Sequence, residues 1–323
     1  MRPPILCEVA MKGTKHIRIS NRHVQFDFTL QRNITLVRGD SGSGKSTLFA
    51  LISDYMREGE QSGVNLSSPC PCIALSDAFW EEQLQRTSRS IVFADEGARF
   101  LQSHAFAEAV KSSDNYYVLI TREDLHELPY SVEEIYEIKT SGKRYHSFQK
   151  LYTLQNGLCR KAENADMILT EDSKSGFQFF SALAEEKAIK CLSSEGNSNF
   201  YKFLQQHPQT AFFIVADGAA FGAEIDRVLK AIGTRKNVTL FLPESFEWLI
   251  LRSGLVRDCE AVLESPDEHI ESGRYFSWEQ FFTAYLTEKT AGTYLAYRKD
   301  TLNPAYLQEQ EKEAITAQIP EIG

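Results

Sequence analysis

Residues able to handle phosphate stand in one unbroken run, Gly39-Asp40-Ser41-Gly42-Ser43-Gly44-Lys45-Ser46-Thr47. Its glycines let a backbone curl until successive N–H groups face one anion, and a following helix N-terminus adds partial positive charge. The run fits G-x-x-x-x-G-K-[ST] at every position. In that pattern the lysine ammonium reaches the β- and γ-phosphates and the hydroxyl ligates Mg²⁺. ATP and Mg²⁺ are therefore the expected ligands. Positions 39–47 form the cradle, Lys45 serves catalysis as well as binding, and Ser46 is a metal ligand.

Two further stretches carry matching chemistry. In Ser90-Ile91-Val92-Phe93-Ala94-Asp95-Glu96 four apolar residues end in two carboxylates. A strand beside the glycine-loop strand has to end in a carboxylate that holds Mg²⁺ through water, with a base next to it. Asp95 is expected in the first role and Glu96 in the second, activating water. The apolar run Tyr116-Tyr117-Val118-Leu119-Ile120 ends in Thr121-Arg122. A guanidinium there can contact the γ-phosphate; the competing reading is a surface arginine closing a strand.

Such residues need a strand before the loop and a helix after it. Ile34, Leu36 and Val37 supply the strand, and the apolar spacing from Ser46 onward predicts the helix. Before them, 5–9, 16–19 and 23–30 read as strands, the last by strict alternation. Beyond the helix, 58–72 reads as a loop, 73–75 as a strand, 77–84 and 100–111 as helices, and 135–138 as an edge strand before a turn at 141–143.

Over residues 16–140, antiparallel strands feeding a strand that runs into ITLVRGDSGSGKSTL resemble the ABC-type ATPases. That resemblance implies a P-loop NTPase parallel sheet with an antiparallel N-terminal patch, and ATP hydrolysis. The chain departs from the family in two places. No LSGGQ signature is present, Leu75-Ser76 keeping only two letters, and Thr121-Arg122 stands where the family usually has histidine.

The second half reads as four β-α units, with strands at 167–170, 188–192, 211–216 and 238–242, which predicts a parallel sheet wrapped by helices. Ligands of such sheets gather at the carboxyl ends of the strands. Acids cluster there: Glu171, Asp217 and, a turn beyond the fourth strand, Glu247. Oxygen donors of this kind suit a hard cation. The pattern resembles a Toprim domain, in which a glutamate after the first strand and D-x-D after the third bind Mg²⁺. Asp217 matches the first aspartate, while Ala219 stands at the second. An ABC-like ATPase followed by a Toprim-like α/β domain is similar to the OLD-family ATPase-nucleases of bacterial defence. The resemblance implies Glu171, Asp217 and Glu247 as metal ligands.

The expected division is 1–160 for the ATPase domain, 161–257 for the Toprim-like domain and 258–323 for a helical tail. In the tail 277–288 and 292–298 read as helices with aromatic core or interface stripes, and 306–318 as a charged peripheral helix.

Composition narrows the partners. Residues 1–150 carry a net charge of −1 and residues 151–323 a net charge of −8, which excludes a broadly basic nucleic-acid platform but not a local groove. No apolar run is long enough to span a membrane, and residues 1–13 lack the long apolar stretch of a secretory signal, so none is expected. Six scattered cysteines read as free thiols in a reducing cytoplasm. The leading expectation is an ATPase controlling an effector domain that acts on nucleic acid, in anti-phage defence or DNA maintenance. The alternatives are an ATP-dependent regulatory or assembly protein and a small-molecule kinase. A homo-oligomer or a protein partner is expected in the first two.

Overall fold

A computed structural model describes residues 11–322, so the strand expected at 5–9 lies outside the described residues. The architecture is α/β, built on two sheets. The chain divides into two units. One holds the residues up to Leu128 together with Glu134–Tyr152 and Ser265–Phe276; the other holds Pro129–Glu133, Thr153–Glu264 and the residues from Ser277 on. The expected tail from 258 is thus shared out between them. Residues 265–276 belong to the first unit because they pair with its opening residues: Met11 N donates to Glu271 Oε1 at 2.8 Å and Gly13 N to the Asp267 carbonyl at 2.6 Å.

The first unit is a nine-stranded mixed sheet. Its strands are β1 (Lys15–Ser20), β2 (Gln25–Leu30), β3 (Ile34–Arg38), β4 (Asn65–Ser67), β5 (Cys72–Ala74), β6 (Ile91–Ala94), β7 (Tyr116–Ile120), β8 (Ile135–Ser141) and β9 (Tyr145–Lys150). They lie in the order β4-β1-β2-β9-β8-β3-β7-β6-β5. Residues of β3, β6 and β7 are buried throughout, as continuous apolar runs covered on both faces require. β1 alternates buried and exposed residues.

Three expectations change. β8 is interior, lying between β9 and β3, because the turn at 141–143 returns β9 antiparallel to it. The 58–72 stretch contributes β4, which pairs with β1. The strand ending in Asp95 is not beside the glycine-loop strand, since β7 lies between β3 and β6 and pairs parallel with both.

Helix α1 (Lys45–Glu58) follows the glycine loop and buries Leu48, Leu51 and Ile52. Helix α2 (Trp80–Gln85) is shorter than expected. The 100–111 helix is broken by Ser103, whose hydroxyl accepts from Phe106 N and starts α3 (His104–Lys111).

The second unit has strands β10 (Leu158–Arg160), β11 (Met167–Thr170), β12 (Lys190–Ser193), β13 (Phe212–Val215) and β14 (Val238–Phe241) in the order β10-β14-β13-β11-β12. All pair parallel except β10. From β11 the chain steps first to β12 on one side, then back to β13 on the other. The strand order therefore reverses between β11 and β13, the kind of crevice where α/β sheets bind ligands. The helices are α4 (Ser175–Glu186), α5 (Phe200–Gln206), α6 (Ile225–Ile232), α7 (Phe246–Arg252), α8 (Glu260–Glu264), α9 (Trp278–Thr290) and α10 (Glu309–Thr316). Residues 292–298 form turns rather than the expected helix.

Candidate functional site

In the first unit the carboxyl ends of β3, β7 and β6 present the glycine loop, Thr121-Arg122 and Asp95-Glu96 side by side. The loop is a glycine conformation: Gly39, Gly42 and Gly44 have φ of 130°, 84° and 98°, which L side chains rarely adopt. Gly44 is also the N-cap of α1, and no side chain caps that helix. Its leading N–H groups are thus left for an anion.

Lys45 is 4% exposed. Its Nζ donates to the carbonyls of Gly39 at 2.5 Å and Asp40 at 2.9 Å and to Ser43 Oγ at 3.3 Å. The loop is folded around its own lysine. Ser46 and Thr47 are exposed at the start of α1. Asp95 Oδ1 is buried and has no hydrogen-bond partner. A carboxylate oxygen taken out of water without a donor is costly unless a cation or proton joins it. Ser46 and Asp95 offer hard oxygen donors of the kind Mg²⁺ takes.

Arg122 ties the loop to Glu96. Its Nη2 donates to Ser41 Oγ at 2.8 Å and its Nε to Glu96 Oε2 at 3.2 Å. Beside them a cavity of about 650 Å³ is lined by Glu96, Arg99, Gln102, Thr121, Arg122 and Glu123. One contact that the sequence did not suggest braces the loop's entry: Arg38, buried, pairs with Asp124 at 2.6 Å.

In the second unit Glu171 follows β11 and Asp217 follows β13, the two strands flanking the reversal. A cavity of about 50 Å³ there is lined by Glu171, Asp217, Glu247, Ser175, Tyr297 and Lys299 among others. That is room for an ion or a few waters, not for a nucleotide. Gly218 makes the approach possible, because a Cβ there would lie 2.4 Å from the Leu242 carbonyl oxygen.

The three expected ligands differ in their surroundings. Glu247 is 2% exposed, and its Oε1 accepts from Tyr297 Oη at 2.8 Å and Thr283 Oγ1 at 2.9 Å. Lys299 Nζ lies 3.9 Å from the same oxygen and pairs closely with Glu279. Glu171 Oε2, by contrast, is buried without a partner. Desolvation, then Glu279 and Asp172, push its pKa up to about 7 against the pull of the Asp217 backbone N–H and Lys299. Desolvation also lifts Asp217 well above the usual carboxylate range, with Glu279, Glu171 and Glu247 adding to the rise. Desolvation lowers Lys299, but Glu247, Glu279 and Asp217 outweigh it and keep the ammonium charged.

The expected triad is therefore not assembled as a ligand set. Among the described residues no group of three or more His, Cys, Asp or Glu side chains is placed to share one ion. The reason is local: Lys299, Tyr297 and Thr283 already supply the cation and donors that Glu247 needs. Only Glu171 and Asp217 keep the character of a site short of positive charge. Sequence reading missed Glu279, Tyr297 and Lys299. Their only signal was an acidic cluster in need of a countercharge, which does not say which of 35 lysines and arginines supplies it.

No protein-family model matches the chain, and no curated protein matches it in sequence. Among the described residues no helix is long and apolar enough to cross a membrane.

Proposed function

We propose that the chain binds and hydrolyses ATP at the glycine loop of its first unit, and that this chemistry controls the acidic centre of its second. The observation that carries the reading is the buried, unpartnered Asp95 Oδ1 after β6, on the same sheet as the loop folded around Lys45 and one strand removed from it. Ser46 and Asp95 would hold Mg²⁺, which when bound neutralises phosphate charge. The amides of 39–45 would take the β-phosphate, with Lys45 exchanging its carbonyl partners for phosphate oxygens. Glu96 would orient and deprotonate the attacking water, and Arg122 would contact the γ-phosphate. Hydrolysis by the wild type together with its loss in Glu96→Gln tests this directly. Wild-type turnover in that variant would remove Glu96 from the role.

For the second unit the reading is a Toprim-like effector acting on nucleic acid, in anti-phage defence or DNA maintenance, with Glu171 and Asp217 as the remaining acid pair. A regulatory or assembly protein without nuclease activity is the second reading. It is favoured by the engagement of Glu247 and by Lys299 among the carboxylates. Mn²⁺-dependent cleavage of DNA or RNA by the whole chain, lost in Glu171→Gln, supports the effector. No cleavage with any nucleic acid supports the regulator.

A further inference from the structure

We propose that Arg122 is a positioning residue: without nucleotide it ties Glu96 to the glycine loop, and entry of a phosphate into the loop sets Glu96 free. The proposal rests on the ATP-binding reading above and concerns the regulation of that site.

Three observations meet. Lys45 Nζ is spent on the carbonyls of Gly39 and Asp40, so the loop as it stands is closed on itself. For Lys45 to face phosphate those bonds must break, and Ser41 lies inside the segment they hold. Arg122 binds Ser41 Oγ with one nitrogen and Glu96 Oε2 with another. The planar guanidinium fork holds both partners at once, which a lysine ammonium on a flexible stem does less well. Opening the loop therefore pulls on the same guanidinium that restrains Glu96. Glu96 is the proposed base, and while it accepts from Arg122 one of its oxygens is taken. The arrangement keeps Glu96 occupied when the loop is empty and releases it when the loop is filled.

A restraint of this kind makes the binding-competent loop a minor population and so weakens apparent nucleotide affinity. Arg122 is half exposed. The restraint is thus of the size of an exposed ion pair, worth about a two- to five-fold change in affinity.

ADP separates this role from a contact with the γ-phosphate, because ADP has none. The experiment is calorimetric titration of ADP with Mg²⁺ into the full chain as wild type, Arg122→Met, Glu96→Ala and the double variant, with melting curves to confirm folding. The expected result is that Arg122→Met tightens ADP binding about two- to five-fold. Loss of a positive charge near an anion would by itself weaken binding, so tightening is diagnostic. In the Glu96→Ala background the same substitution should give no gain. The proposal is overturned if Arg122→Met binds ADP as the wild type does or more weakly, or if its gain is the same with and without Glu96. If the wild type binds ADP no better than Lys45→Ala does, the glycine-loop reading itself falls, and the restraint with it.

Discussion

The Tyr297 hydroxyl donates to Glu247 Oε1 at 2.8 Å, while Ser175 Oγ lies 2.6 Å from the same phenol oxygen. Because Tyr297 gives its proton to Glu247, the serine hydroxyl must be the donor to Tyr297. The chain Ser175–Tyr297–Glu247 runs from the first turn of α4 to the first turn of α7 and holds the Glu247 carboxylate in place. Tyr297→Phe removes one donor from a buried carboxylate and leaves Ser175 without its acceptor. It should destabilise the protein by about 1–3 kcal/mol, read as a lower melting temperature. An unchanged melting curve would mean that the network adds nothing to stability.

The acid pair sets a pH dependence. Glu171 has its pKa raised from 4.5 to about 7, and Asp217 is raised in the same direction. The folded state thus binds more protons than the unfolded chain between those values. For Glu171 this stabilisation is fullest below about pH 4.5 and is lost as pH rises to about 7; Asp217 acts in the same direction. Glu171→Gln should flatten this decline, a difference of no more than about 3 kcal/mol between its ends. Melting temperatures across that range check it; parallel curves for variant and wild type would contradict it.

A cation should compete with those protons. Mn²⁺ at the second unit must displace protons from Glu171 and Asp217, and that costs less at high pH. The rise in melting temperature on adding Mn²⁺ should be larger at pH 8 than at pH 5.5 and should be lost in Glu171→Gln with Asp217→Asn. An equal response in the variant would place the cation elsewhere, and no response at either pH would leave the acids as interior residues balanced by Lys299.

The fold was legible where the chain carries its own instruction. The loop 39–46 declares its conformation through glycines, and β3, β6 and β7 declare burial through unbroken apolar runs. What was not legible depends on distant pairing. β8 reads as an edge strand because nothing in 135–138 says that β9 will cover it, and 265–276 reads as tail because its partners are Met11 and Gly13. In the second unit the acids could be read from strand ends. The pairing of Lys299 with Glu247 and Glu279 could not, since a countercharge has no local spacing to betray it. Arg122 was visible as a candidate, but its link to both Ser41 and Glu96 needs β7 to lie between β3 and β6.

Glu96→Gln keeps the shape of the side chain and removes its basicity. ATP should still bind, while turnover falls about 10²-fold or more, the scale of losing a general base. Equilibrium binding of ATP alongside steady-state phosphate release separates the two effects. Loss of binding together with turnover would make Glu96 a binding residue.

The central claim is that the loop around Lys45 binds nucleotide phosphate, and calorimetric titration of ATP with Mg²⁺ into wild type and Lys45→Ala tests it most directly. Lys45 Nζ has three partners inside the loop, at Gly39, Asp40 and Ser43. Its loss should leave the two sheets folded and abolish measurable ATP binding. Wild-type affinity in Lys45→Ala, with an unchanged melting curve, would contradict the account.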